Sequence, residues 1–416
     1  MGREFDLIVF GASGFTGRYV ALEVAKCSKA EGKSWAVAGR SLSKLKQVVA
    51  DIQDELGENL NDVGIIAADV NDSGAMLECC KKGDIILDCV GPFRFYGEQV
   101  VSACVKAKTN YVDVSGEPEF LENMQFKYSK QAEEAGIHIV GACGFDSIPV
   151  DCGIEFMRQK FNGELTAVES YLKYHGRIKG NIGTFESLIN GVATGDNLKS
   201  IRKRLMPEKM KYVGQRLEKR GSLFYSKSEN LWTVLFTGAD PSVVRRTQYS
   251  CQESSGETPV QYGSYMCLSG ILELVCLLIF GVFLAILTPF QFGRNLLMKY
   301  PKLFTFGTFS YDGLTREELA ERSFTFVFYG RGYSSESQKT GKPDKAIGLK
   351  INGPEPGYVA TPIFLVQAAL TILEGNLPNK GGVFTPGRAF KNTSLIDRLI
   401  KSGIEISTFQ VDTKDF

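Results

Sequence analysis

The first 150 residues alternate between short, nearly continuous apolar runs and longer amphipathic stretches. FDLIVF (5–10), WAVA (35–38), VGIIAA (63–68), DIILDCV (84–90), YVDV (111–114) and HIV (138–140) read as buried strands. Residues 14–27, 43–56, 96–106 and 119–135 show helical periodicity between them. Strands apolar on both faces, each followed by a helix, predict a parallel sheet covered on both sides. In such a sheet, ligands bind beyond the carboxyl ends of the strands.

After residue 150 the alternation is lost. TAVESYLK (166–173) and FTFVFY (324–329) read as strands of a second α/β domain with a mixed sheet. The expected division is 1–150 for the first domain, 151–350 for the second and 351–416 for a C-terminal segment. In that segment, 361–373 reads as an apolar helix with Pro362 near its start, and 394–404 as a final amphipathic helix. The polar tail after Ser407 is expected to be loose.

One stretch stands apart. From 258 to 293 the only charge is Glu273. Its uncharged part, 274–293, would reach ~30 Å as a helix, enough to span a bilayer. Pro289 breaks the pattern after Thr288, leaving only ~22 Å of unbroken helix. Arg294 and Lys299 follow, then another apolar run at 303–309. A helical hairpin within one leaflet, or on a lipid-droplet monolayer, fits this pattern better than a clean span. The competing reading is a buried core helix or the interface of a homo-oligomer. A basic segment at 199–220, with nine basic residues against Glu208 and Glu218, reads either as a solvated face or as a patch for anionic lipid head groups.

Composition narrows the function. Lysine plus arginine is 48 against 47 acidic residues, a net charge of +1, which argues against nucleic acid as the main partner. Ten cysteines are present and none forms a C-x-x-C pair, so they read as free thiols in a reducing, intracellular compartment. No leader is expected before the first strand, and Asp6 breaks the myristoylation pattern. His138 and His175 are the only histidines, too few for a His-based metal site or triad.

The first strand ends in Gly11-Ala12-Ser13-Gly14-Phe15-Thr16-Gly17, a G-x-x-G-x-x-G turn leading into a helix. Gly11 permits the tight turn, Gly14 lets backbone approach a pyrophosphate, and Gly17 allows close helix–strand packing. The expected fold is therefore a Rossmann-type doubly wound parallel sheet. A NAD site would place a carboxylate at the end of the second strand. Arg40 and Ser41 stand there instead, which favours NADP through its 2′-phosphate. Asp69 closes the third strand, either near an adenine edge or as a helix cap. Gly91-Pro92 fixes a turn after the fourth, where the nicotinamide half would cross.

Several blocks carry a family resemblance: GASGFTG (11–17), AGRS (38–41), CVGPFRFYGE (89–98), YVDVSGE (111–117), GFDSIP (144–149), GPEPGYVATP (353–362) and GGVFTPG (381–387). In this order they closely resemble the saccharopine dehydrogenase family over essentially the whole chain. The resemblance implies a dinucleotide-binding domain, a second α/β domain, a C-terminal segment packed back on the first, and an oxidoreductase. It does not imply saccharopine as substrate: no arginine set suited to a multiply charged zwitterion is evident after residue 150. The family also includes bacterial enoyl reductases that act on lipid-linked intermediates of glycolipid synthesis. FDLIVFG (5–11) and the AGRS turn look like theirs too.

The expected function is an NADP(H)-linked oxidoreductase on a membrane or lipid-droplet surface, with the endoplasmic reticulum or mitochondrial surface as other locations. It would reduce an apolar C=C, C=O or C=N bond. Tyr96 and Asp146 are the first choices for proton donor; Asp113, Ser115, Glu117 and His175 are further candidates. The alternatives are a catalytically inactive dinucleotide sensor or scaffold, and a soluble saccharopine-type enzyme of lysine metabolism.

Overall fold

The computed structural model describes residues 2–193, 195–335 and 341–413. Seven parallel strands form the sheet of a first unit, comprising Met1–Asp146 and Gly357–Ser402. The strands are β1 (Phe5–Phe10), β2 (Trp35–Gly39), β3 (Gly64–Ala67), β4 (Gly83–Asp88), β5 (Asn110–Asp113) and β6 (His138–Val140), with Gly382–Phe384 at one edge. The spatial order β3-β2-β1-β4-β5-β6 has its crossover point between β1 and β4, the Rossmann arrangement expected from the alternation.

The connecting helices are α1 (Phe15–Glu31), α2 (Leu42–Leu56), α3 (Ser73–Lys82), α4 (Phe93–Ala107) and α5 (Pro118–Ala135). Leu7, Ile8, Val9 and Phe10 are at most 1% exposed, because β1 is central and covered on both faces. Burying each such side chain contributes roughly 1.5–3 kcal/mol. The helix Thr361–Leu373 is apolar and buried along nearly its whole length, packed on α1, β4 and β5. By length and composition, Pro356–Leu373 could cross a membrane, but it is 78% buried and forms part of this core.

A second unit comprises Ser147–Pro356 and Gly403–Phe416. Its mixed seven-stranded sheet contains β7 (Glu164–His175), β8 (Leu223–Ser226), β9 (Leu231–Leu235), β10 (Gln261–Cys267), β11 (Ser323–Tyr333), β12 (Lys345–Pro354) and β13 (Glu405–Phe409). Among the described residues of this sheet, β7 and β10 pair in parallel and the other neighbours are antiparallel. The helices α6 (Ile148–Lys160) and α9 (Asp240–Ser255) pack together, α6 on β7 and β12, α9 on β10. Between them in sequence lie α7 (Ile182–Ala193) and α8 (Gly195–Leu205). The helices α10 (Ile271–Leu287), α11 (Gln291–Lys299) and α12 (Pro301–Phe304) follow β10.

Two expectations need correction here. The apolar stretch 258–293 is not one membrane-directed segment: residues 261–267 are strand β10, with Tyr265 and Cys267 in the sheet's core. An uncharged run satisfies a strand and a helix alike, so composition merged the two. The tail is held further than expected: past Ser407, Thr408 and Phe409 still belong to β13 and pair with Leu349 and Gly348 of β12, and the strand ends there. Phe409 lies over Gly348, where a Cβ would come within 2.3 Å of its ring, so the missing side chain on β12 seats the tail. Residues 414–416 of that tail lie outside the described residues.

Candidate functional site

The turn after β1 is held by backbone bonds. Gly11 N–H donates to Ala38 O at 2.9 Å, and Gly14 N–H to Gly11 O at 2.9 Å. Gly11 has φ +82°, which favours glycine, and a Cβ there would meet Val90 Cγ2 at 2.6 Å. A Cβ on Gly17 would lie 2.1 Å from Gly11 O, so α1 can approach the turn only with glycine at 17. The turn thus joins the carboxyl ends of β1, β2 and β4.

The helix N-termini around it are treated differently. Ser41 accepts from Lys44 N–H at the start of α2. Asp72 accepts from the N–H groups of Gly74 and Ala75 at the start of α3. At α4, Glu117 accepts from Phe93 N–H at 2.9 Å and Arg94 N–H at 3.3 Å. Gly14 caps α1 with no side-chain acceptor and no acidic residue in the first turn. The N–H groups and positive dipole end of α1 are therefore available to an anion. This helix end fits a dinucleotide pyrophosphate, for which Gly11, Ser13, Gly14, Phe15, Thr16 and Gly17 would form the cradle.

Arg40 is exposed directly after β2, beside the Ser41 cap. Asp69 is not the cap of α3, since Asp72 fills that role; Asp69 instead accepts from Asn71 N–H at 2.9 Å in the turn after β3. Gly91 and Pro92 lead into α4, and Tyr96 stands 37% exposed on its first turn, beside Phe95.

The ends of β4, β5 and β6 carry a set of acids. Asp88 and Asp113 are register partners, both fully buried. Burial raises the Asp88 carboxyl well above its ordinary range, and the negative charge of Asp113 adds to this. Tyr111 donates to Asp88 Oδ2 at 3.1 Å. Asp113 Oδ1 accepts from Ser115 N–H at 2.9 Å and Ala142 N–H at 2.8 Å. Burial nonetheless lifts its carboxyl to about 6.

Asp146 lies on the loop after β6, against the loop after β5. A Cβ on Gly116 would sit 3.2 Å from Asp146 Oδ2. Withdrawal from water lifts the Asp146 carboxyl to about 6 as well. That places it within reach of proton donation near neutral pH. The other acid candidates hold backbone in place. Ser115 Oγ accepts from Glu117 N–H, and Glu117 also pairs with Arg94 Nε at 2.8 Å. His175, in the second unit, pairs with Thr325 Oγ1 at 3.0 Å.

The C-terminal segment contributes residues that sequence reasoning did not assign. Tyr358 packs edge-on to Phe15, ring centroids 4.6 Å apart. Thr361 Oγ1 accepts from Phe145 N–H at 3.0 Å and its methyl lies against Gly144. One short segment therefore braces both the glycine turn and the Asp146 loop. Both residues stand in the GPEPGYVATP block, which was the available signal. Thr361→Val should remove the hydrogen bond from Phe145 N–H to Thr361 Oγ1, at a cost of about 1 kcal/mol. A lowered denaturation midpoint and faster amide exchange at Phe145, both restored in Thr361→Ser, would check this.

The Saccharopine dehydrogenase NADP binding domain family matches residues 7–140. The chain is 44% identical to the saccharopine dehydrogenase-like oxidoreductase of Rattus norvegicus, over 97% of each chain. It is 38% identical to a lipid droplet localized protein of Caenorhabditis elegans, over 99% of each. Among solved structures, saccharopine dehydrogenase (L-Glu forming) from Saccharomyces cerevisiae matches with a TM-score of 0.56 at 13% identity. That match covers 98% of this chain and 100% of the other, and at such identity it shows the shared fold. With the open α1 N-terminus and the basic end of β2, these likenesses establish that the chain belongs to the saccharopine dehydrogenase family of NADP-linked oxidoreductases.

Proposed function

We propose that the chain uses NADPH to reduce an apolar or lipid-linked substrate, at a C=C, C=O or C=N bond, on a membrane or lipid-droplet surface. The observation that carries this reading is α10, an apolar helix with no buried residue in a chain that also holds a dinucleotide cradle. The name of the Caenorhabditis elegans relative points the same way.

When bound, the cofactor supplies the hydride. The protein's own residues do the rest. The 11–17 turn and the α1 N-terminus would hold the pyrophosphate. Arg40 and the Ser41 hydroxyl would receive the 2′-phosphate, with Asp69 on the adenine side and Gly91-Pro92 on the nicotinamide side. Asp146 holds the proton for the substrate, with Tyr96 as the second candidate donor. Tyr358 and Thr361 keep the two loops in register.

Titration with NADPH and NADH, followed by a screen of long-chain enones and ketones in mixed micelles, tests the proposal. NADPH oxidation dependent on an apolar substrate supports it. Oxidation driven only by charged amino-acid semialdehydes would overturn it. Arg40→Ala should lower NADPH affinity about tenfold or more, as expected for loss of a charge-assisted contact, while NADH affinity stays unchanged. Equal losses for both cofactors would remove Arg40 from the 2′-phosphate site.

A further inference from the structure

The apolar helix α10 has two distinct faces. On one, Phe280, Leu284 and Leu287 pack on a cluster of Phe185 and Ile189 from α7 and Leu297 from α11. On the other, Leu272, Val275, Ile279, Val282 and Ile286 are 40–78% exposed. Their spacing of three, four, three and four residues makes a single stripe along the whole helix. Phe290, Phe292 and Leu303 add exposed apolar side chains beyond the turn, at 60%, 68% and 69%. Contiguous apolar surface of this kind marks an interaction site.

Geometry limits what can cover it. The helix has 17 residues, about 25 Å, short of the ~30 Å hydrocarbon core. Its inner face is fixed to α7 and α11, so it cannot stand upright in a bilayer as a free span. The charges between 271 and 311 are Glu273 and three cations, Arg294, Lys299 and Lys302. Glu273 folds back on its own helix start, accepting from Ser269 N–H at 2.6 Å. Arg294 donates to Thr288 O at 2.7 Å, which holds it at the turn. Lys299 lies over the Tyr300 ring, and Lys302 pairs with Asp312 at the exposed surface. Apolar stripe and basic flank together have the chemistry of an interfacial helix.

We infer that α10 lies flat within a single phospholipid leaflet, its stripe among the acyl chains and Arg294, Lys299 and Lys302 level with anionic head groups. This rests on the lipid-surface reading and adds the helix orientation and the head-group charge. A flat helix serves the outer leaflet of a bilayer and the monolayer around an oil core alike.

The test uses the full chain with vesicles of phosphatidylcholine, vesicles containing phosphatidylserine, and a triolein emulsion coated with the same lipids. Leu272→Trp, Ile279→Trp and Ile286→Trp report depth through quenching by brominated lipids, each measured against the unsubstituted chain. Circular dichroism and NADPH binding matched to that chain show that each variant is folded. The expected result is equal, shallow quenching at the three positions. Binding to phosphatidylserine vesicles should be roughly tenfold tighter or more, a preference lost when all three cations are replaced by glutamine. Quenching that deepens steadily from 272 to 286 overturns the flat orientation and leaves the lipid-surface reading standing. Equal affinity for neutral and anionic vesicles overturns the head-group assignment. No recruitment to any of the lipids overturns both readings, and a dimer dissociated by Ile279→Asp would assign the stripe to a second copy of the chain.

Discussion

Gly14→Val is expected to lower NADPH affinity by about a hundredfold or more, ~2.7 kcal/mol, in a protein that still folds. Gly14 has φ −75° and ψ 169°, a conformation open to valine, so the backbone carries no strain. A Cβ there would lie 3.1 Å from Gly11 O, a tight contact relieved by a small shift. The two methyl groups would then stand over the N-terminus of α1, where the pyrophosphate must approach. Gly17 is the wrong position for this test, because its Cβ would collide with Gly11 O and disturb the fold itself. Fluorescence titration of the folded variant gives the result directly. Unchanged affinity would mean that the dinucleotide does not use this helix end.

Asp146→Asn should lower turnover by about a hundred- to ten-thousandfold, the range for a lost general acid, with NADPH affinity retained. The pH dependence gives a sharper reading. A carboxyl at about 6 is protonated below that pH and ionised above it. Reduction needs the protonated form, so the wild-type rate should fall about tenfold per pH unit above 6. The reverse oxidation needs the ionised form and should rise across the same range. In Asp146→Asn that limb should disappear. Asp113 also titrates at about 6, so a limb that survives the substitution would belong to Asp113, which braces the same loop through Ala142 N–H. Asp146 would then lose its role as donor.

The parallel sheet was legible because its strands are apolar on both faces and its helices are evenly spaced between them. Its edges were less so. The three residues Gly382–Phe384 are too few to carry a pattern, and they pair with β6 across a long chain separation. The start of α4 at Phe93 instead of 96 depends on Glu117, which satisfies two backbone N–H groups from more than twenty residues away. Such a cap is invisible to any local window. In the second unit, β8 and β9 are short strands with exposed Tyr225 and Trp232, so their alternation carries little apolar signal. At the candidate site, the places of the glycine turn and Arg40 at the ends of β1 and β2 could be read from position alone. Tyr358 and Thr361 could not, because only the folded chain brings them against Phe15 and Phe145.

Neither unit is built from one continuous piece of chain, and this matters during synthesis. Domains that fold as they leave the ribosome usually do so from the N-terminus. Here the nascent first 146 residues lack the helix Thr361–Leu373, which covers α1, β4 and β5, and the edge strand that pairs with β6. The second unit in turn waits for β13, whose residues come after the first unit's last helix. Both units therefore close only after residues 361–409 have been made. Until then, β4 and β5 expose apolar surface to water, and α10 has already emerged. In a chain of this layout, the face of α1, β4 and β5 stays uncovered through the whole synthesis of the second unit's 147–356 segment, until Thr361–Leu373 emerges.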